Sequence, residues 1–397
     1  MEKINIRTIT CSILIDYLTD ETEIINQLKN ILKQIKIIKT KYSQIKTLRV
    51  SIIFNQKISI SSLPGLINKL LFIQNESKKL SIRWISITLD SNQFENIENI
   101  PEIIKTLILK ISNIFIHLVV SQNIKPVFEY YAKSIIEVSR LSQSGFDNFR
   151  LGVSNGETNN TPFFPYTNFK GKLRYSVGLE TLKDLVDEFY ANPEIDVNKK
   201  LHNFQNKFES SLIELNKFLS KNSILEYMGI DASLAPIPQT IQSIGLLYEF
   251  LGVSTLGNLG SLSITSRLTD FIQKAFDNSK AKKAGFNGVM FSPLEDDWLS
   301  KQSVKGILDI ESLMLYSTVC GCGIDMLPLP GDIFVETIAS LISDVVTLSH
   351  KLNKPLGVRV LPIPGKFAND KTNFNHDFLS DMKIINIQDS ILPNIDF

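Results

Sequence analysis

An α/β fold with mostly parallel strands is predicted by three features of the chain. Short β-branched runs alternate with longer segments whose apolar residues recur every three or four positions. That alternation calls for strands joined by crossover helices. No linker rich in Gly, Ser or Pro divides the chain, so its 397 residues read as one large domain, 1–397.

Residues 6–15 form the first strand-like run. Asp20 followed by Glu23 has the pattern of a helix N-cap and its N3 partner. Ile24, Ile25, Leu28, Ile31, Leu32, Ile35 and Ile38 then keep helical spacing, which buries one face. The basic residues between Lys29 and Lys41 fall between these and read as its solvated face. The pattern repeats as strand 47–54, helix 63–74, strand 80–89, a helix opened by Pro101, strand 114–120, helix 126–141 and strand 148–153. Residues 155–172 are a long irregular stretch containing Thr161-Pro162-Phe163-Phe164-Pro165-Tyr166, and loops of that length inside a domain are often functional. A strand reaching Gly178 follows. Leu201, Phe204, Phe208, Leu212, Leu215 and Leu219 mark a long amphipathic helix. It packs on the sheet or offers an apolar stripe to a second copy, and a homo-oligomer is expected on the second ground. A strand around Ile230, helices 239–251 and 261–276 and a strand 287–291 come next. The chain then reads as a helix ending at Cys320, strand 324–328, a capped helix from Asp332 and strand 357–360.

Composition narrows the function. Apolar residues make up 43% and charged residues 21%, and Lys+Arg 42 against Asp+Glu 41 leaves a net charge of +1. Without a basic surplus, nucleic acid is not an expected partner. The apolar stretch 106–120 contains Lys110 and Asn113 and is too short to span a bilayer, so no membrane association is expected. The apolar run after Thr10 breaks at Asp16, unlike a signal peptide. Three cysteines, Cys11, Cys320 and Cys322, cannot frame a disulfide scaffold in so long a chain. A reducing, cytoplasmic location is the expectation.

Candidate site residues cluster where strands end. Glu295, Asp296 and Asp297 follow the strand that reaches Phe291-Ser292-Pro293. They could serve as an acid/base pair or bind a hard metal, or cap a helix against its dipole. Asp231 ends a strand in apolar surroundings and needs a partner, whether the next turn or a ligand. Gly257-Asn258-Leu259-Gly260-Ser261 opens a helix, so Ser261 is either a plain cap or part of an anion cradle. Cys320 is the natural nucleophile candidate, but its place at a helix C-terminus disfavours a thiolate unless a cation such as Arg359 or Lys366 approaches. With Cys322 it makes too few ligands for a structural zinc, and no histidine of the four lies nearby in sequence. Arg359 sits mid-strand and implies a carboxylate partner or a substrate anion. Lys366 lies in a Pro/Gly loop. The pattern specifies neither a metal nor a cofactor.

Several segments together resemble the DUF711 family, also called UPF0210. They are Asn5-Ile6-Arg7-Thr8-Ile9-Thr10, Thr161-Pro162-Phe163-Phe164-Pro165, Gly229-Ile230-Asp231-Ala232-Ser233-Leu234-Ala235-Pro236 and Pro293-Leu294-Glu295-Asp296. Tyr316-Ser317-Thr318-Val319-Cys320-Gly321 with Gly323-Ile324-Asp325, Pro328-Leu329-Pro330-Gly331-Asp332, Lys354-Pro355-Leu356 and Pro362-Ile363-Pro364-Gly365-Lys366 complete the match. The resemblance implies a ten-stranded α/β barrel of the pyruvate formate-lyase-like type, with mostly parallel strands in two halves, about 1–154 and 172–397. It implies no established reaction. Gly357-Val358-Arg359-Val360 does not reproduce the Arg-Val-x-Gly-Tyr radical loop of such barrels, so radical chemistry is not carried over.

Two functions are therefore expected as alternatives. One is an enzyme acting on a small polar, anionic metabolite, with Asp231, Glu295, Asp296, Cys320 and Asp325 as catalytic or ligating groups and Arg359, Lys366 and Ser261 binding substrate. The other is a non-catalytic metabolite-binding or regulatory protein. Carboxylates already paired by protein cations favour the second. Asp231, Cys320, Asp325 and Arg359 are expected to converge.

Overall fold

The computed structural model describes residues 4–191, 193–238, 240–303 and 308–392. Its first half alternates as the sequence predicts: β1 (Ile6–Ile15), α1 (Glu21–Lys39), β2 (Ile45–Phe54), α2 (Leu63–Lys79), β3 (Trp84–Asp90), α3 (Ile100–Lys110), β4 (Ile114–Val119), α4 (Lys125–Ser139) and β5 (Leu151–Ser154). The second half contains β6 (Arg174–Leu179), α5 (Thr181–Ala191), α6 (Val197–Lys221), β7 (Glu226–Asp231), α7 (Ile244–Phe250), α8 (Ser261–Ser279) and α9 (Asp297–Ser303). It ends with α10 (Ile310–Ser317), β8 (Gly323–Pro330), α11 (Val335–Leu352) and β9 (Gly357–Ile363).

Local chemistry sets several boundaries. Asp20 caps α1 by accepting from the Glu23 N–H. The helix expected over 239–251 starts only at Ile244, where the Ser243 hydroxyl accepts from Leu246 N; Gln239 lies outside the described residues. The helix expected from Asp332 begins at Val335, and its cap position is Phe334. No helix among the described residues is long and apolar enough to cross a membrane.

Among the described residues the strands form one nine-stranded sheet in the order β7-β6-β1-β2-β3-β4-β5-β9-β8. β1 to β5 run parallel, and β6 and β9 join them antiparallel at either side, so the two halves run in opposite directions. The ten strands expected are thus nine, and the ladder is open, with β7 and β8 as its edges. Residues 287–291, expected as a strand, make only isolated bridges. Leu234 N donates to Gly288 O and Met290 N to Leu234 O on one side, while Gly321 N donates to Val289 O on the other. Asn287 at φ +48° breaks the extended run that a ladder needs.

The helices cover one face. The other face is lined by small and polar residues and wraps the long loop 155–172. Thr10 Oγ1 donates to Pro162 O, Ser12 Oγ to Gly171 O and Thr88 Oγ1 to Thr167 O. Gly152 on β5 and Gly357 on β9 leave room for Pro165 and Tyr166; a Cβ at either would lie within 2.6 Å of their ring atoms. The loop's buried backbone is satisfied by the sheet's inner side chains, which is how so irregular a segment can be buried. The apolar stripe of α6, offered above as an oligomer face, is buried within the chain: Phe204, Phe208, Leu212, Leu215 and Leu219 point inward and the helix packs on α8, α5 and β7.

Candidate functional site

A partly open pocket of about 70 Å³ lies inside the sheet, beside the tip of that loop. It collects the N-terminal ends of β1 to β4, the early residues of β8 and β9, and the turns after β7 and before α9. Three arginines line it: Arg7, Arg49 and Arg359. Two carboxylates, Glu295 and Asp325, also face it. Trp84, Phe115, Phe149, Phe163, Phe164 and Tyr166 supply most of its apolar wall.

Each arginine is held differently. Asp325 and Arg359 are register partners across β8 and β9. Arg359 Nε and Nη2 bind the two Asp325 oxygens, each at 2.7 Å, and Nη2 also reaches Glu295 Oε2 at 3.3 Å. Burial alone would lower the Arg359 pKa, but Asp325 and Glu295 outweigh it and hold the group above its usual range. Tyr166 donates its phenol to Asp325 at 3.4 Å, and burial pushes that phenol well up. Arg7 donates to the carbonyls of Ala235 and Pro236 at 2.9 and 3.1 Å and lies over the Phe163 ring. A bulge between Ile6 and Thr8, opposite β6, lets it leave the alternation of β1. Burial is the main effect lowering its pKa.

Arg49 has no counter-charge of its own. Among the described residues it makes no hydrogen bond or ion pair, its Nε is buried without a partner, and its guanidinium lies 5.2 Å from the centre of the Phe164 ring. Burial, followed by the charge of Arg7, draws its pKa down to about 9, so it stays a cation at neutral pH. Three cations therefore meet two carboxylates, and both carboxylates are bound by the same arginine. Glu295 Oε2 takes Arg359 and the Ser292 hydroxyl, the latter at 2.6 Å. Among the described residues its other oxygen, Oε1, accepts no hydrogen bond.

The remaining candidates lie elsewhere. Asp231 is fully buried at the end of β7. It accepts from Ser233 N and Oγ, Thr161 Oγ1, Phe286 N and Asn287 N. Burial raises its pKa against those bonds. It is a clamp between β7, the inner loop and residues 286–287. Asp296 is also fully buried and capped on every side: it accepts from Ser243 Oγ, Ile244 N, Trp298 N and Leu299 N. Burial raises it as well. It ties the start of α7 to the start of α9.

Cys320 and Cys322 are buried together, outside the lining of the arginine pocket. A hydrogen bond from the Cys322 thiol lowers the Cys320 pKa against the effect of burial, with Lys354 helping, and the same bond together with burial raises Cys322. Lys354 Nζ caps this turn by donating to the carbonyls of Ser317 and Cys320 at 2.9 and 2.5 Å. Ser261 is buried at the start of α8, and Lys366 sits in the turn after β9; neither lines the pocket. Of the four residues expected to converge, Asp325 and Arg359 meet in the pocket, and Asp231 and Cys320 pack outside its lining. Among the described residues no group of three or more His, Cys, Asp or Glu is placed to hold a metal ion.

Sequence reading missed Arg7 and Arg49, although the signal was present. A charged residue inside an apolar strand run was the reason for singling out Arg359, and both arginines meet that test.

The chain matches the family model described as "Uncharacterised ACR (DUF711)" over residues 1–377. It is similar to a UPF0210 protein of Oleidesulfovibrio alaskensis, 33% identical over 144 residues, or 36% of this chain and 32% of that relative. A UPF0210 protein of Pyrobaculum aerophilum is 30% identical over 152 residues, 38% of this chain and 34% of the relative. One from Caldicellulosiruptor saccharolyticus is 34% identical over 164 residues, 41% and 36%. The matched stretches thus span about a third of these relatives' own length.

Proposed function

The chain belongs to the DUF711, or UPF0210, family of uncharacterised proteins, and from its inner pocket we propose that it binds a small anionic metabolite. Arg49 carries this reading. It is a strand cation that faces the pocket without a carboxylate of its own, alongside two further arginines. Holding such a group unpaired costs free energy that an incoming anion returns.

The state of the carboxylates favours binding over acid/base catalysis. Asp231 and Asp296 are saturated by hydrogen bonds, and Asp325 is locked by Arg359. A general base must be free to reach the proton it takes. Glu295 is the carboxylate at the pocket that retains an open oxygen, and it supports the enzymatic alternative to that extent. Cytoplasmic residence, resting on the few cysteines, and the absence of nucleic-acid partners, resting on the balanced charge, stand as part of the same proposal.

The reading is tested by thermal shift and calorimetry with acetate, propionate, short hydroxy and amino acids, and phosphate. The parent chain should bind at least one of these. Arg49→Gln should weaken binding by about tenfold or more, since one charge-assisted contact contributes about 1.5–3 kcal/mol, while its melting temperature without ligand should hold or rise. Failure of every anion to bind the parent chain would remove the reading.

A further inference from the structure

We infer that the ligand is a short acid bearing an amine or hydroxyl on the carbon next to its carboxylate; this deepens the anion-site reading and rests on it. Three observations converge. The first is size. A cavity needs roughly 10–15 Å³ to seat one water, so about 70 Å³ seats roughly five to seven non-hydrogen atoms. Longer acids and nucleotides would have to extend out through its open side.

The second is the distribution of charge. The cationic side of the pocket, Arg49 with Arg7, is not matched by a free anion, and it suits the ligand's carboxylate. Glu295 faces the same small space and still has an open oxygen. In so small a cavity a bound carboxylate cannot lie far from it. An acid with nothing to donate would set two negative charges against each other. A donor on the adjacent carbon bonds to Glu295 instead, and the two ends of the ligand then meet opposite charges. Glu295 is only partly buried, so the preference for a donor rests on this match of charges at the two ends of the ligand.

The third is the apolar wall. Phe115, Phe149, Phe163 and Phe164 surround the space between these charges. They suit an aliphatic carbon and offer nothing to inorganic phosphate, whose surface is polar all round.

Calorimetry on the full chain decides the matter with glycine, L-alanine, L-lactate, propionate and phosphate. Alanine or lactate should bind at least about tenfold more tightly than propionate, and phosphate should bind more weakly than the better of the two. Alanine and lactate separate an amine donor from a hydroxyl. Glu295→Gln should bring alanine or lactate to within about threefold of propionate while binding of propionate itself holds or improves. The parent chain alone already tests the idea, so a poorly folded variant would not leave it open. Propionate or phosphate binding as tightly as alanine and lactate would overturn the ligand class and leave the anion site standing. No binding by any of the five, nor by acetate, would overturn both.

Discussion

Arg359 holds Asp325 through two bonds of 2.7 Å, with both side chains almost completely buried. Removing one member of a buried pair commonly costs about 3–5 kcal/mol, because the other is stranded. Asp325→Asn should therefore lower chemical-denaturation stability by about that amount, moderated by Glu295; a loss under about 1 kcal/mol would show that the pair is not closed in solution. His117 is the second residue with a defined electrostatic role. It is fully buried, its Nε2 lies 2.7 Å from Ser154 Oγ, and burial lowers its pKa to about 3. Its folded pKa lies below the ordinary value near 6.5, so between these limits the unfolded chain binds the extra proton and stability falls as pH drops. His117→Asn should flatten the stability profile between about pH 6.5 and 3. An unchanged acid limb would assign the loss to carboxylates alone. At this scale the sequence was legible only in part. Arg359 could be singled out because charge inside a strand demands a partner, and Asp325 because it sits in a predicted strand within a segment that resembles the family. That Asp231 and Asp296 are sealed by hydrogen bonds could not be seen, because their partners lie in segments as far apart as Thr161 and Asp231, or Ser243 and Asp296.

The loop 155–172 is the element that turns a curved sheet into a site. It carries Phe163, Phe164 and Tyr166 to the pocket, and strands on both sides of it give up side-chain volume to admit it. At Gly357 a Cβ would meet Tyr166 Cζ at 2.6 Å. Gly357→Ala should thus displace Tyr166 and cost about 1–3 kcal/mol, the usual range for overpacking. Gly65 in α2 is an instructive control: a Cβ there meets only Tyr17, at 3.9 Å, and Gly→Ala in a helix gains about 0.5–1 kcal/mol. Equal effects at the two glycines would mean that the loop does not fill the sheet. Long periodic runs such as α1 and α6 were legible, whereas α5 was passed over although Leu182, Leu185, Val186 and Phe189 keep helical spacing. The length of the irregular stretch signalled function, but its place inside the sheet did not show, because burial of a loop depends on partners such as Thr10 and Thr88 in distant strands. Residues 287–291 read as a strand on composition, and the positive φ of Asn287 decided otherwise.

For the whole molecule, the decisive contacts are the two antiparallel seams, β1 with β6 and β5 with β9. They fuse the halves into one sheet, and a single apolar cluster runs through both. On the inner face of the first half, the polar residues Thr8, Thr10, Ser12, Ser86 and His117 are completely buried, and Thr88 is partly so. Taken alone it would face water as a cavity with no filling, since the loop that fills it begins only at Asn155. Strand seams left open would also expose the ten-residue edge of β1 and the short edge of β5, and a long exposed edge favours association with other chains. The first half should accordingly fail as an independent unit. A fragment of residues 1–154 is expected to aggregate or to melt without a cooperative transition, whereas the full chain should unfold in one step by both far-ultraviolet dichroism and tryptophan emission, Trp84 reporting on the first half and Trp298 on the second. A soluble 1–154 fragment with its own sharp transition would break the chain into two domains. The pocket, which draws Arg49 from one half and Arg359, Asp325 and Glu295 from the other, would then be a site between domains, open to regulation by their separation.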